Sequence, residues 1–160
     1  GYFKVEIQKA FSPIFFSDSQ KLSCITSSMY LLKLLTAESQ ANPKIFDLIH
    51  EFYLIISNEL WLKEYIFWEL KLLKILGYDL EFENLVSEKM VNDKIIYVAK
   101  SSKENKIVPN FLINRNDPTH DIKTLLNGLS LVSDYLDKNV LKPNNINYPI
   151  TRIHFFNSFK

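Results

Sequence analysis

From Ser17 onward, apolar positions recur three and four residues apart, the period of a helix with one buried face. SDSQKLSCITSSMYLLKLL opens on N-cap candidates and puts Leu22, Ile25, Met29 and Leu32 on one side. AESQANP interrupts the pattern. Asn42 and Pro43 then start a second helix, with Pro43 in the first turn, where a missing N–H costs nothing. Ile45, Leu48, Ile49, Phe52 and Ile55 form its apolar side. A third helix runs from Trp61 to Leu76 and stops at Gly77, a left-handed cap. KIIYVAK (94–100) and KIV (106–108) read as two strands around the turn SSKEN, a hairpin inserted over 92–110. NRNDPTHD (114–121) is a loop whose Asp117 and Asp121 face a fourth helix, Ile122 to Val140. After the loop LKPNNINYP (141–149), Pro149 opens a short last helix through Phe159. At the other end, GYFKVEIQKAF (1–11) is a strand with Val5 and Ile7 on one face. A lone strand cannot pair with itself, so it either adds to a sheet edge elsewhere or closes a domain lying upstream, and the second is the expectation. The expected fold is mainly α: four to five helices around one core, with a small inserted β-hairpin.

The third helix is the most apolar. At 100° per residue, Trp61, Tyr65, Trp68, Leu72, Ile75 and Leu76 form a broad arc, widened by Leu62, Ile66 and Leu73. Lys63, Lys71 and Lys74 share the opposite side with Phe67 and Leu70. Glu69 falls inside the arc, where an unmet carboxylate would cost several kcal/mol. The chain has two arginines, Arg115 and Arg152, and Arg152 sits in the apolar closing segment PITRIHFF. An ion pair of Glu69 with Arg152, fastening the last helix to the third, is therefore expected.

Composition narrows the class. At 160 residues and 47% hydrophobic, the chain suits one domain with a sizeable core. Three glycines and 14% aromatics favour helices over a turn-rich β protein. A net charge of +1 leaves nucleic-acid binding to a local patch. The single Cys24 excludes an intrachain disulfide and a cysteine-based zinc site, which fits a reducing cytosol; with no neighbouring histidine it reads as a small buried apolar residue. No apolar run approaches the roughly 20 residues of a membrane span, so no membrane partner is expected. His50 and Glu51, in HEFYLI, lack the second histidine of a zinc protease. His120 belongs to a capped turn, and His154 to packing. No catalytic residue, cofactor or metal is expected; a hydrolase using Glu69 as base would need that carboxylate in an open cleft.

Four stretches, in order, resemble the RecO recombination mediator family of bacterial DNA-repair proteins. WELKLLKILGYDLEF (68–82) is similar to that family's phenylalanine-glutamate-leucine helix and leucine-glycine-tyrosine stop. GYFKVEIQKAF resembles the last strand of its N-terminal OB-fold, and KIIYVAKSSKENKIV its tyrosine-bearing hairpin. GLSLVSDYLDKNVLKPNNINYPITRIHFF resembles its C-terminal helix, proline loop and closing arginine element. Two departures stand out. Leu85 occupies the position of a cysteine that many members carry, and no cysteine follows Gly77, so the zinc site of some members is not implied. Ile66 and Phe67 stand where some members have arginines.

The resemblance implies residues 1–11 as the end of a truncated OB-fold and 12–160 as the helical C-terminal domain. It implies a cytoplasmic, nucleoid-associated, non-enzymatic mediator. Such a protein binds DNA, the acidic C-terminal tail of single-stranded-DNA-binding protein and RecR, helps load RecA, and anneals strands. Most of the OB-fold's basic groove and stacking aromatics would lie upstream. For an acidic tail with an apolar end, the side bearing Lys63, Phe67, Leu70, Lys71 and Lys74 has matching chemistry. Lys138, Lys142, Arg152 and Lys160 are the expected phosphate contacts. The alternative is a plain helical interaction domain without a DNA role.

Overall fold

The computed structural model describes residues 15–36, 42–78, 80, 82–91, 94–100 and 106–160. The expected strand at 1–11 and the hairpin turn at 101–105 lie outside these residues. The chain forms two compact units, Gly1–Gln40 with Tyr148–Lys160, and Ala41–Asn147.

In the first unit, α1 (Ser19–Leu35) packs against α6 (Ile150–Asn157). Asp18 caps α1 by accepting the Lys21 N–H at 3.0 Å. The buried face of α1 is Cys24, Ile25, Ser27, Ser28, Leu31 and Leu32, while Leu22 and Met29 are half-buried. The stripe is thus turned toward the small residues. Ser28 tolerates burial because its hydroxyl donates to the Cys24 carbonyl at 2.7 Å. On α6, Arg152 and Phe155 are buried, and Pro149 is the cap residue rather than the first helical one.

In the second unit, α2 (Pro43–Ile56) and α3 (Trp61–Ile75) are neighbours. Asn42 caps α2, its Oδ1 accepting from the Lys44 and Ile45 N–H groups. Ile45, Leu48, Phe52 and Ile55 are buried, as their spacing predicts; Ile56 is buried as well, and Ile49 lies at the edge. Trp68 joins the two helices: its indole N–H donates to the Leu48 carbonyl at 2.7 Å, in the core. The Trp68 ring lies 4.9 Å from Phe52 and stacks on Tyr65 at 5.8 Å. The arc of α3 is buried except for Ile75 and Leu76 at its end, which are half-buried, and Glu69 within it has no exposed surface. At Gly77, φ is +88°, and the Tyr78 N–H reaches back to the Leu73 carbonyl at 2.8 Å while Gly77 donates to Lys74. That six-to-one closure is the Schellman stop the glycine predicts.

A one-turn α4 (Phe82–Leu85) leads into a three-stranded antiparallel sheet in the order β1 (Val86–Val91), β2 (Lys94–Ala99), β3 (Ile107–Val108). The predicted pairing is present, with Tyr97 opposite Val108 and Val98 opposite Ile107. The sheet is larger than expected, because VSEKMV pairs with β2 from Val86–Ala99 to Val91–Lys94. Its residues beyond Val86 are half-buried or exposed, so they carry no apolar alternation to reveal a strand.

α5 (Ile122–Leu136) is capped by Asp121, which accepts the Thr124 N–H at 2.8 Å. It ends four residues before the predicted Val140 and continues as a wider π turn, Asp137–Leu141, then a 3-10 turn, Lys142–Asn144. Among the described residues, none of the helices is long and apolar enough to cross a membrane. Where α5 meets the 3-10 turn Asn110–Leu112, it presents Gly128 to the buried Phe111. A Cβ there would sit 2.9 Å from Phe111 Cε1 and nearer still to Cζ. Phe111 in turn meets the Phe67 ring edge to face at 6.1 Å.

Helix propensity favours Ala over Gly by about 1 kcal/mol, yet overpacking costs typically 1–3 kcal/mol. Gly128→Ala is therefore expected to destabilise the fold by about 1–2 kcal/mol in urea unfolding; a stabilised variant would show that Phe111 is not seated against this glycine.

Candidate peptide-binding groove

Along α3, at the border of its buried arc, runs an open groove of about 470 Å³, with Trp68 of the arc among its lining. α3 supplies Lys63, Phe67 and Lys71, four residues apart and so on one stripe. α2 supplies Glu51 and Ile55, and Leu60 closes the end between the helices. Arg115 and His120 come from the loop before α5.

Short side chains shape that loop. The Asn114 side chain accepts the Asn116 N–H at 3.1 Å, and the Asp117 carboxylate accepts from the Thr119 N–H at 2.9 Å and the Asn110 amide at 2.6 Å. Lys63 reaches from α3 to donate to the Asp117 carbonyl. The loop is thus fixed by its own Asx turns and by one lysine of the groove. Thr119 chiefly, helped by Asn110 and the Lys63 charge, holds the Asp117 carboxyl below its usual value of 3.8, although burial, the next largest influence after Thr119, pushes the other way.

The three cations of the groove differ in their commitments. Lys63 is engaged by the loop, and Lys71 pairs with Glu51. Arg115 makes no ion pair among the described residues; its guanidinium lies 4.5 Å over the Phe67 ring. Arg115 is also exposed, so a guanidinium stacked by one face on Phe67 can still donate to a carboxylate from solvent. Gly128, Phe111, Phe67 and Arg115 therefore form one supporting series, from a bare helix surface to a positioned cation.

Of the five residues expected to bind an acidic peptide, Lys63, Phe67 and Lys71 line the groove. Leu70 is half-buried on the far edge of the stripe, and Lys74 is exposed one turn further on; neither lines it. Glu51, Arg115 and His120 were not foreseen as part of it. Helical periodicity says nothing of a loop; the scarcity of arginine was the one signal pointing to Arg115.

The expected phosphate contacts are dispersed. Lys138 is exposed beside a second hollow of about 210 Å³ between α5 and the sheet, floored by Leu80, Phe82, Val86 and Val108. Lys142 is exposed and pairs with Asp137 at 2.6 Å. Lys160, in the other unit, is exposed and donates to the Asn157 side chain at 2.8 Å. Arg152 is fully buried, with its guanidinium 5.9 Å over Phe156. Burial suits Arg152 to an internal ion pair and removes it from a phosphate-binding surface. The burial of Glu69 likewise leaves no open cleft for a carboxylate base. Among the described residues, no three His, Cys, Asp or Glu side chains gather as a metal site.

Carbon-13 NMR is expected to place the Asp117 carboxyl midpoint below 3.8. A depressed carboxylate contributes stability above its unfolded-state value, and that contribution is lost as pH falls through the folded one. Asp117→Asn should accordingly flatten the acid limb of stability, and a midpoint at or above 3.8 would contradict the loop geometry.

Comparison with known proteins gives a consistent picture. The family model "Recombination protein O C terminal" matches residues 17–107, more than half of the chain. A DNA repair protein RecO of Rhodospirillum centenum is 22% identical over 174 aligned residues, covering 100% of this chain and 69% of the relative. A DNA repair protein RecO of Bartonella tribocorum is 25% identical over 164, covering 88% of this chain and 64% of the relative. The chain thus spans about two thirds of the length of these curated relatives. No solved structure matches it.

Proposed function

Because the chain belongs to the RecO family through that family's C-terminal part, we propose that it serves DNA repair as a non-enzymatic mediator whose groove along α3 takes an acidic, apolar-ended peptide. The observation that carries this reading is the Arg115–Phe67 stack at 4.5 Å beside the two lysines of α3. Three cations around an apolar floor of Ile55, Leu60 and Phe67 complement a ligand with several carboxylates and one greasy end. The C-terminal tail of single-stranded-DNA-binding protein has that chemistry. Both similar proteins carry the name DNA repair protein RecO, which supports a place in repair. Engagement of RecR, loading of RecA, strand annealing and a cytoplasmic, nucleoid-associated setting follow from the same proposal. The plain interaction domain without a DNA role is the competing reading, and it predicts no preference for an acidic tail.

A labelled acidic peptide ending in aspartate-phenylalanine separates the two. Fluorescence polarisation at low salt is expected to show binding that weakens as salt rises, and Arg115→Ala to weaken it about tenfold. Absence of binding by the wild-type chain would count against the proposal.

DNA contact through Lys138, Lys142 and Lys160 is proposed on their exposure alone. Neutralising Lys138 and Lys142 together should lower the salt dependence of single-strand binding by about one to two ions; an unchanged slope would exclude them.

Glu69 and Arg152, expected from the sequence to pair, belong to different units of the chain, and each is fully buried.

A further inference from the structure

The groove contains carboxylates of its own, and they are not equivalent. Glu51, on α2, pairs with Lys71, the lysine furthest along the α3 stripe. Glu64 accepts instead from the Asn58 amide at 3.3 Å and touches no cation there. The Lys71 and Glu51 side chains remain 51% and 42% exposed, so their pair can open without leaving a buried charge. We infer that Glu51 is a built-in competitor for the acidic ligand, occupying the Lys71 ammonium as a ligand carboxylate would; this rests on the acidic-peptide reading of the groove. An incoming carboxylate at Lys71 must displace Glu51, exchanging one ion pair for another. The same carboxylate at Arg115 displaces no carboxylate, because Arg115 is exposed and makes no ion pair among the described residues. Arg115 is therefore the first point of attachment, and Glu51 limits how much a second carboxylate adds.

The test is fluorescence polarisation with a labelled peptide of three acidic residues and an apolar end, across a salt series, on wild type, Glu51→Gln and Glu64→Gln. Both substitutions remove one negative charge from the same groove, but only Glu51→Gln frees a cation. Glu51→Gln is expected to bind about threefold tighter at low salt and to lose affinity more steeply with salt, since its Lys71 contact is then a net gain. Glu64→Gln should change affinity much less. Equal gains from the two, or no gain from Glu51→Gln while the wild type binds, overturn the competitor and leave the acidic-peptide reading standing. Absence of binding by both wild type and Glu51→Gln overturns both.

Discussion

Trp68 fixes the second unit, and the groove inherits its form from that anchor. An indole buried to this degree must find an acceptor for its N–H, because a buried donor left unmet costs about 1–3 kcal/mol. The Leu48 carbonyl supplies it at 2.7 Å, which sets α2 against α3 in one register. Phe52 and Tyr65 close on the same ring from either helix. The inner side of α3 is then committed, and its outer side follows by the geometry of 3.6 residues per turn. Lys63, Phe67 and Lys71 have no other direction in which to point. With α2 held in place, Glu51 comes within reach of Lys71, and Ile55 forms the floor between them.

The remaining wall depends on a different constraint, the absence of a side chain at Gly128. That gap admits Phe111, Phe111 braces Phe67, and Phe67 carries the guanidinium of Arg115. The loop holding Arg115 is kept in shape by Asn114 and Asp117, with Lys63 tying it to the helix it overlooks. The position of Arg115 is thus a consequence of packing, because its guanidinium stands on apolar groups beneath it. Ile66 is buried, and the cation beside Phe67 comes from the loop as Arg115.

Much of this was legible in the chain, for reasons that differ by element. α2 and α3 declare themselves because their cores are large and apolar and their ends carry Asn42, Pro43 and Gly77. The burial of Glu69 followed from its angle on the helix wheel. On α1 the predicted Ile25 and Leu32 are buried, but Ser27 and Ser28 are buried where periodicity favoured Leu22 and Met29. Hydroxyls that bond within their own helix hide their polarity from any hydrophobic pattern. β1 was missed because a strand whose side chains mostly face water has no alternation. In the groove, the α3 stripe could be read, whereas Glu51 and Arg115 arrive through tertiary packing that no spacing encodes.

The most direct test is a nitrogen-15 NMR map of the protein titrated with the acidic, apolar-ended peptide. If a Trp68-anchored helix pair presents the binding surface, shifts should gather at Glu51, along Lys63 to Lys71 and at Arg115 to His120. Shifts confined to the sheet or to the Lys138–Lys142 turn would contradict it.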